Sequence, residues 1–290
     1  MAEIRKKMPD PRLRDERPSA GLVGMTVFTL LLIGAFAGLT TVLFGFGGGF
    51  VTVPVIVWAD AAVGSDAVMI AVATSALVMV VNAAIATAAT PVAVLERLRG
   101  RGVLLLLLTL GGLCGAVVAT AVPAAVVSWG FVAYLAVTIV DVSVRPGFFS
   151  RATQDGSPRG TVRIPSSFGL PIGAVASLLG VGGSVMTVPL LRRSGLPMSE
   201  ATALANPLTL AISLPASLAF MVLPHAAPVH APFLSVGIVD IGAAALLLAG
   251  SIPVIVLLRR RPLPIPESVH AGTYLALLLT VLGAMIASLW

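Results

Sequence analysis

Most of this chain consists of apolar stretches long enough to approach or cross a hydrocarbon core of roughly 30 Å. They run at about Gly21–Phe44, Phe50–Trp58, Ala67–Ala89, Val103–Val122, Ala124–Val140, Phe168–Leu191, Ala201–Leu223, Pro232–Leu258 and Ala271–Leu289. Backbone N–H and C=O groups in such runs have no water to bond, so each run must satisfy them internally, as an α-helix does. Phe50–Trp58 is too short to span alone, and the others give eight candidate spans, four in each half. With 58% hydrophobic and 10% charged residues, no stretch is left that is large enough for a soluble domain. The expected fold is an all-α polytopic membrane protein with seven or eight transmembrane helices.

One glycine-rich motif occurs twice within these runs. Residues 45–54 read Gly-Phe-Gly-Gly-Gly-Phe-Val-Thr-Val-Pro, and residues 180–189 read Gly-Val-Gly-Gly-Ser-Val-Met-Thr-Val-Pro. Gly45, Gly47, Gly48, Thr52, Val53 and Pro54 thus return 135 positions later as Gly180, Gly182, Gly183, Thr187, Val188 and Pro189. Membrane transporters are commonly built from two such repeats, with broken helices meeting near the bilayer midplane. The expected organisation is a basic tail over 1–20, a first repeat over 21–144, a linker over 145–167 and a second repeat over 168–290.

Glycines at Gly45 and Gly47 to Gly49 predict a helix that fails in mid-membrane. Broken backbone at that depth is tolerated only where protein buries it or where it lines a cavity. A helix restarting near Gly49 or Ser184 would aim free N–H groups and its positive dipole end inward, with Thr52 and Thr187 one turn in, an arrangement that suits an anion. The plainer alternative is close helix packing, which small residues also permit. A nucleotide-binding loop is set aside, because no Gly-Lys-Ser/Thr follows and no acidic ribose partner stands in a βαβ context.

A second polar interruption follows each motif: Ala73-Thr74-Ser75 and Ala205-Asn206-Pro207. Allowing short gaps, the two align, and Ser65-Asp66-Ala67 matches Ser199-Glu200-Ala201 on the way. Asn206 before Pro207 reads as a helix N-cap and first-turn pair, and Thr74 or Ser75 would cap equivalently. Four helix N-termini would then converge on one pocket. The alternative is a proline kink with side chains bonding back to their own helix.

The net charge is +6. The basic residues sit in short loops between spans, so the positive-inside rule accounts for them better than nucleic acid does. Arg97, Arg99 and Arg101 mark one cytoplasmic loop, and Arg145, Arg151, Arg159 and Arg163 the central one. The first half then threads in–out–in–out–in, from a cytoplasmic N-terminus without a cleavable signal. The second half conflicts with four crossings, which would leave Arg192, Arg193 and Arg259 to Arg261 outside. If Phe168–Leu191 instead enters and returns as a hairpin, all of them lie inside. The central loop, with its prolines and glycines, reads as a flexible linker.

No lysine or arginine lies deep in a span, so an anion would be held by backbone N–H, hydroxyl and amide groups. Asp240 is the acid at depth and a candidate for a coupling proton, or an interfacial residue if its helix starts late. Asn82 reads as an interhelical packing partner, and Asp141 as a helix-end charge. Cys114, the one cysteine, excludes an internal disulfide and a thiolate cluster, and His225, His230 and His270 are too loosely spaced for a metal centre. No cofactor and no metal is expected.

The Gly-x-Gly-Gly-Gly run followed by Val-Pro and an Ala-Thr-Ser tract, repeated in degenerate form, resembles the sulfite exporter TauE/SafE family from about Gly21 to Leu289. The resemblance implies a plasma-membrane permease, usually working outward, for small sulfur-containing anions such as sulfite, sulfoacetate or other organosulfonates. Its implied substrate region is Gly45, Gly47, Gly48, Gly49, Thr52, Pro54, Thr74 and Ser75, with Gly180, Gly182, Gly183, Ser184, Thr187, Pro189, Asn206 and Pro207. The second copy departs from the pattern at Ser184 and at Asn206-Pro207.

The expected partners are a small anionic substrate and the lipid bilayer, with a homodimer left open and no nucleic acid. A passive anion channel shares the same residues. An intramembrane enzyme lacks support, since no paired carboxylates, His cluster or Ser-His couple stands at membrane depth. A structural membrane subunit is the remaining alternative.

Overall fold

The computed structural model describes residues 20–59, 65–149, 162, 164–223, 234–261 and 263–289, with side chains from residue 25 onward except 55–59 and 65–67. Most of the N-terminal tail, the interior of the central linker, His225 and His230 lie outside the described residues. The described helices are α1 (Ala20–Phe44), α2 (Gly49–Ala59), α3 (Ser65–Ala88), α4 (Val92–Leu95), α5 (Gly102–Ala119), α6 (Ala124–Val144), α7 (Gly169–Leu178), α8 (Ser184–Arg193), α9 (Met198–Val222), α10 (Ile241–Arg260) and α11 (Glu267–Ser288). A two-residue hairpin, β1 (Ser235–Val236) and β2 (Val239–Asp240), precedes α10. Seven helices are long and apolar enough to cross a membrane: α1, α3, α5, α6, α9, α10 and α11. The chain is an all-α polytopic membrane protein.

Ion pairs fix one end of the molecule. Arg97, in the turn before α5, pairs with Glu200 at the start of α9 at 2.8 Å. At the end of α8, Arg192 reaches Glu267 at the start of α11 (3.1 Å), and Arg193 reaches Asp141 near the end of α6 (2.7 Å). The same end holds the start of α7, where Gly169 packs on Leu104 and Leu107 of α5. Because α7 starts and α8 finishes at this arginine end, Phe168–Leu191 enters and returns rather than crossing. Arg259 to Arg261 lie there too, joined to Glu267 by a short connection.

The α1 helix runs parallel to α10, with Gly34 against Leu247 and Gly38 against Ser251. It therefore begins at the opposite end and finishes near the arginines, where the Leu43 carbonyl meets His270 Nε2. This corrects the in–out–in–out–in threading of the first half. Arginine counting could not see it, because α1 and α2 also form a hairpin whose tip carries no charge.

Glycine makes both tight pairings possible. A Cβ on Gly34 or Gly38 would collide with α10 backbone, and one on Gly169 or Gly173 with α5 backbone. Gly34 and Gly38 precede Gly169 and Gly173 by 135 positions, the spacing of the broken motifs, so α1 on α10 and α7 on α5 use the same small-residue contact. Between these pairs α3 and α9 pack against each other at the centre. The outer faces are apolar: Met25, Phe28, Leu32 and Phe36 form an exposed stripe at helical spacing on α1, as lipid contact requires.

The described ends of the central linker are anchored, which corrects its reading as flexible there. Phe148, Val162 and Ile164 are buried, the Phe148 carbonyl accepts from Arg192 Nε at 3.1 Å, and the Val162 carbonyl accepts from Arg101. Prolines and glycines set the local impression of looseness; the buried side chains between them set the packing.

Candidate functional site

Each hairpin turns on glycines in left-handed backbone. After α1 these are Gly45 (φ +73°) and Gly47 (φ +65°), and after α7 Gly180 and Gly182 (both φ +67°), a conformation a Cβ would strain. The α7 end closes in a Schellman-type turn, with Val181 N–H returning to the Ala176 carbonyl at 3.0 Å. The chain then restarts as α2 at Gly49 and α8 at Ser184, the expected positions; the Gly48 carbonyl accepts from Val51 and Thr52 N–H and the Gly183 carbonyl from Met186 and Thr187 N–H, which leaves only the first two N–H groups of each helix without a helical acceptor.

The two tips meet in the interior. Gly49 packs so closely on the Gly180 carbonyl and Met79 that no Cβ fits, and a Cβ on Gly182 would lie 3.6 Å from the Phe46 carbonyl. Ser75 Oγ donates to the Gly180 carbonyl at 3.2 Å, tying α3 to the second tip. Asn82 Nδ2 donates to the Gly47 carbonyl at 3.3 Å while its Oδ1 accepts from Ser251 Oγ at 2.7 Å, so Asn82 is a packing bridge, as expected. Met79 of α3 and Thr209 of α9 both flank the crossing, each bordering Gly47 and Gly182.

These contacts define which positions correspond between the halves. Gly45 sits on Thr202 and Ala205, as Gly180 sits on Val72 and Ser75; Gly48 sits on Asn82, as Gly183 sits on Ile212. Ser75, Met79 and Asn82 therefore occupy the places of Ala205, Thr209 and Ile212. The expected alignment of Ala73-Thr74-Ser75 with Ala205-Asn206-Pro207 is two residues out of step. Ser184 stands where Gly49 does, and the smaller Thr209 stands where Met79 does, so the extra atoms at one site match missing atoms at the other.

The expected caps on α3 and α9 are also corrected. Helix α9 continues unbroken through Asn206 and Pro207, and Thr74 and Ser75 lie inside α3. Pro207 has no N–H and so leaves the Ala203 carbonyl without its helical donor. Asn206 Nδ2 supplies one at 3.4 Å, and bonds the Thr202 carbonyl at 3.1 Å. Asn-Pro looks like a helix start locally, but here the amide repairs the helix that the proline interrupts. Two helix starts rather than four meet at the crossing. Pro189 is handled similarly: it frees the Val185 carbonyl, which accepts from Tyr274 Oη at 2.9 Å and ties α8 to α11.

Thr52 Oγ1 donates back to the Gly48 carbonyl at 2.8 Å. Thr74 Oγ1 points away from the crossing and accepts from Asp240 N at 3.1 Å. Asp240 is the N-cap of α10, its Oδ1 accepting from Ala243 N at 2.9 Å, and is only 4% exposed. Its helix starts at Ile241, later than Pro232, so Asp240 stands at the end of the span, the position of the interfacial alternative, with its side chain buried by the protein. Burial raises its carboxyl above the ordinary range, opposed by the N–H groups of Ala243 and Gly242.

Several buried polar atoms make no hydrogen bond within the protein: the hydroxyls of Ser177, Ser184, Thr187, Thr209 and Ser213, and Oδ1 of Asn206. Ser177, Thr209 and Ser213 were not singled out from the sequence. The available signal was spacing, because Asn206, Thr209 and Ser213 share one face of α9 at i, i+3 and i+7. Among the described residues, glycines, hydroxyls and amides meet Met79, Phe46, Phe50 and Ile212 at the crossing, and no charged side chain borders its glycines.

Seven apolar helices around two broken hairpins that touch at a neutral, polar centre define a polytopic helical membrane protein with an internal site. The sequence model for Sulfite exporter TauE/SafE matches residues 30–288, and the chain belongs to that family. No curated protein and no solved structure matches it. The family is one of transporters of sulfite-like anions.

Proposed function

We propose that this protein is a transporter that exports a small sulfur-containing oxyanion, such as sulfite or a sulfoacetate-like organosulfonate, across the plasma membrane. The observation that carries the reading is the meeting of the tips Gly45–Gly49 and Gly180–Ser184 inside the protein, each followed by the start of a helix. Helix starts of this kind hold anions without a fixed cation, so binding stays reversible. The two halves, 21–144 and 168–290, act as inverted repeats: α1 and α7 begin at opposite ends and enclose one site from opposite sides. The arginine end faces the cytoplasm by the positive-inside rule. The start of α1 then faces the other side.

A permanently open channel fits less well, because Phe46, Phe50, Thr52, Ser75, Ser184 and Asn206 at the crossing are fully buried. Asp240 is the candidate coupling acid, acting through Thr74 rather than at the crossing itself. The test is flux of labelled sulfite and sulfoacetate into liposomes containing the purified protein. The reading expects flux that saturates and is inhibited by the other anion; linear, non-competing flux would mark a channel, and no flux of either would overturn the assignment.

A further inference from the structure

The two halves present the same backbone at the crossing, but they do not treat their polar side chains alike. Hydroxyls buried in helices commonly bond back to a carbonyl one turn earlier, as Thr41 does to Ala37, Thr52 to Gly48 and Thr138 to Tyr134. In the first half, every polar side chain at the crossing is also engaged. Thr52 bonds its own helix, Ser75 bonds Val72 and Gly180, and Asn82 bonds Gly47 and Ser251.

The second half breaks this habit at Ser177 of α7 and, more densely, where α8 meets α9. Thr187, which corresponds to Thr52, leaves Oγ1 without a partner, as do Ser184 on the same turn of α8 and Thr209 and Ser213 on the facing helix α9. All four residues are at most 1% exposed. Thr209 borders both broken tips, its methyl 3.0 Å from where a Cβ would stand on Gly47 or Gly182. A buried hydroxyl left unbonded loses its water without replacement, so four together on two facing elements are not a packing accident. Of the remaining first-half orphans, Thr87 lies near the far end of α3, while the Tyr134 phenol of α6 is turned to the Met186 backbone on α8, between Ser184 and Thr187.

We infer that the second half alone supplies the side-chain hydrogen bonds to the oxyanion, through Ser184, Thr187, Thr209 and Ser213, while the first half is a scaffold that fixes the tips. This rests on the transporter reading and deepens it, because it makes the site one-sided within a repeated fold. The oxyanion's acceptor oxygens turn toward α8 and α9, and Met79 covers the opposite face.

The test is calorimetric binding of sodium sulfite and sodium sulfoacetate to the purified full chain and to Thr209→Val, Thr187→Val and Thr52→Val, with the melting temperature of each protein alone. Thr209→Val and Thr187→Val should each weaken binding by about tenfold, the scale of one hydrogen bond to a charged group. Neither should lower the melting temperature, since each removes an unbonded buried hydroxyl, whereas Thr52→Val should change affinity less than twofold, within the few tenths of a kcal/mol of ordinary scatter. If Thr52→Val weakens binding as much as Thr187→Val, or if Thr187→Val and Thr209→Val bind like wild type or melt earlier, the one-sided site is wrong while the transporter reading stands. Wild type that binds neither anion would remove the transporter reading itself.

Discussion

Gly48 and Gly183 occupy corresponding places, yet their physics differs. Gly48 has φ +95°, and a Cβ there would come 2.8 Å from Asn82 Nδ2. Gly183 has φ −78° and would meet the far end of the Ile212 side chain, which can move. Gly48→Ala should therefore destabilise by about 1–2 kcal/mol through left-handed strain, and Gly183→Ala by clearly less; unfolding of the two purified proteins in the same detergent checks the order. Arg192 is the opposite kind of residue, a buried charge with many bonds. It donates to the Phe148 carbonyl through Nε and Nη2, and to Leu196 and Glu267 through Nη1. Arg192→Met should cost roughly 1–3 kcal/mol, since it leaves the buried Phe148 and Leu196 carbonyls unbonded, while the partly exposed Glu267 keeps water as a partner. A loss below about 1 kcal/mol, as for a surface pair, would show that this cluster does not hold the arginine end together.

At the scale of elements, the arrangement of ends is open to direct labelling. In a Cys114→Ser background, Ser199→Cys at the start of α9 and Leu263→Cys before α11 should react from the same side of the membrane, and Leu234→Cys before β1 from the other. Reaction of Ser199→Cys and Leu263→Cys from opposite sides would contradict the hairpin formed by α7 and α8. The broken helices and the return of Phe168–Leu191 were legible in the sequence, because glycine runs and arginine clusters each report a strong local or global preference. The direction of α1 was not, since no charge marks the tip where it turns back. Asn206-Pro207 misled for a different reason: the same two residues serve a helix start or a mended helix interior, and only the neighbouring carbonyls decide. Gly34 and Gly38 carried the repeat spacing all along, but as isolated glycines in an apolar helix they gave no sign of which helix they would meet.

For the whole molecule, three ion pairs between elements are described at the arginine end: Arg97 with Glu200, Arg192 with Glu267 and Arg193 with Asp141. Movement between the halves that opened this end would have to separate Arg97 from Glu200 and Arg193 from Asp141, whereas the opposite end, among the described residues, is held by the β1–β2 hairpin against α9, with Ile238 N–H on the Phe220 carbonyl at 3.2 Å. Asp240 sits beside that hairpin. With its carboxyl raised by burial, its protonated fraction grows from a higher pH than usual as the pH falls, so proton-coupled flux should rise with acidification. Asp240→Asn keeps a capping side chain and should flatten that profile with little loss of stability; an unchanged profile would release Asp240 from coupling. The central claim is that the crossing of the two tips is where the anion passes. Gly183→Leu tests it most directly, because the side chain displaces only the mobile end of Ile212 and otherwise fills the approach to α8. Labelled-sulfite flux in liposomes should be lost in Gly183→Leu while its insertion and monodispersity match wild type. Wild-type flux from a correctly folded Gly183→Leu protein would place the pathway somewhere other than the crossing.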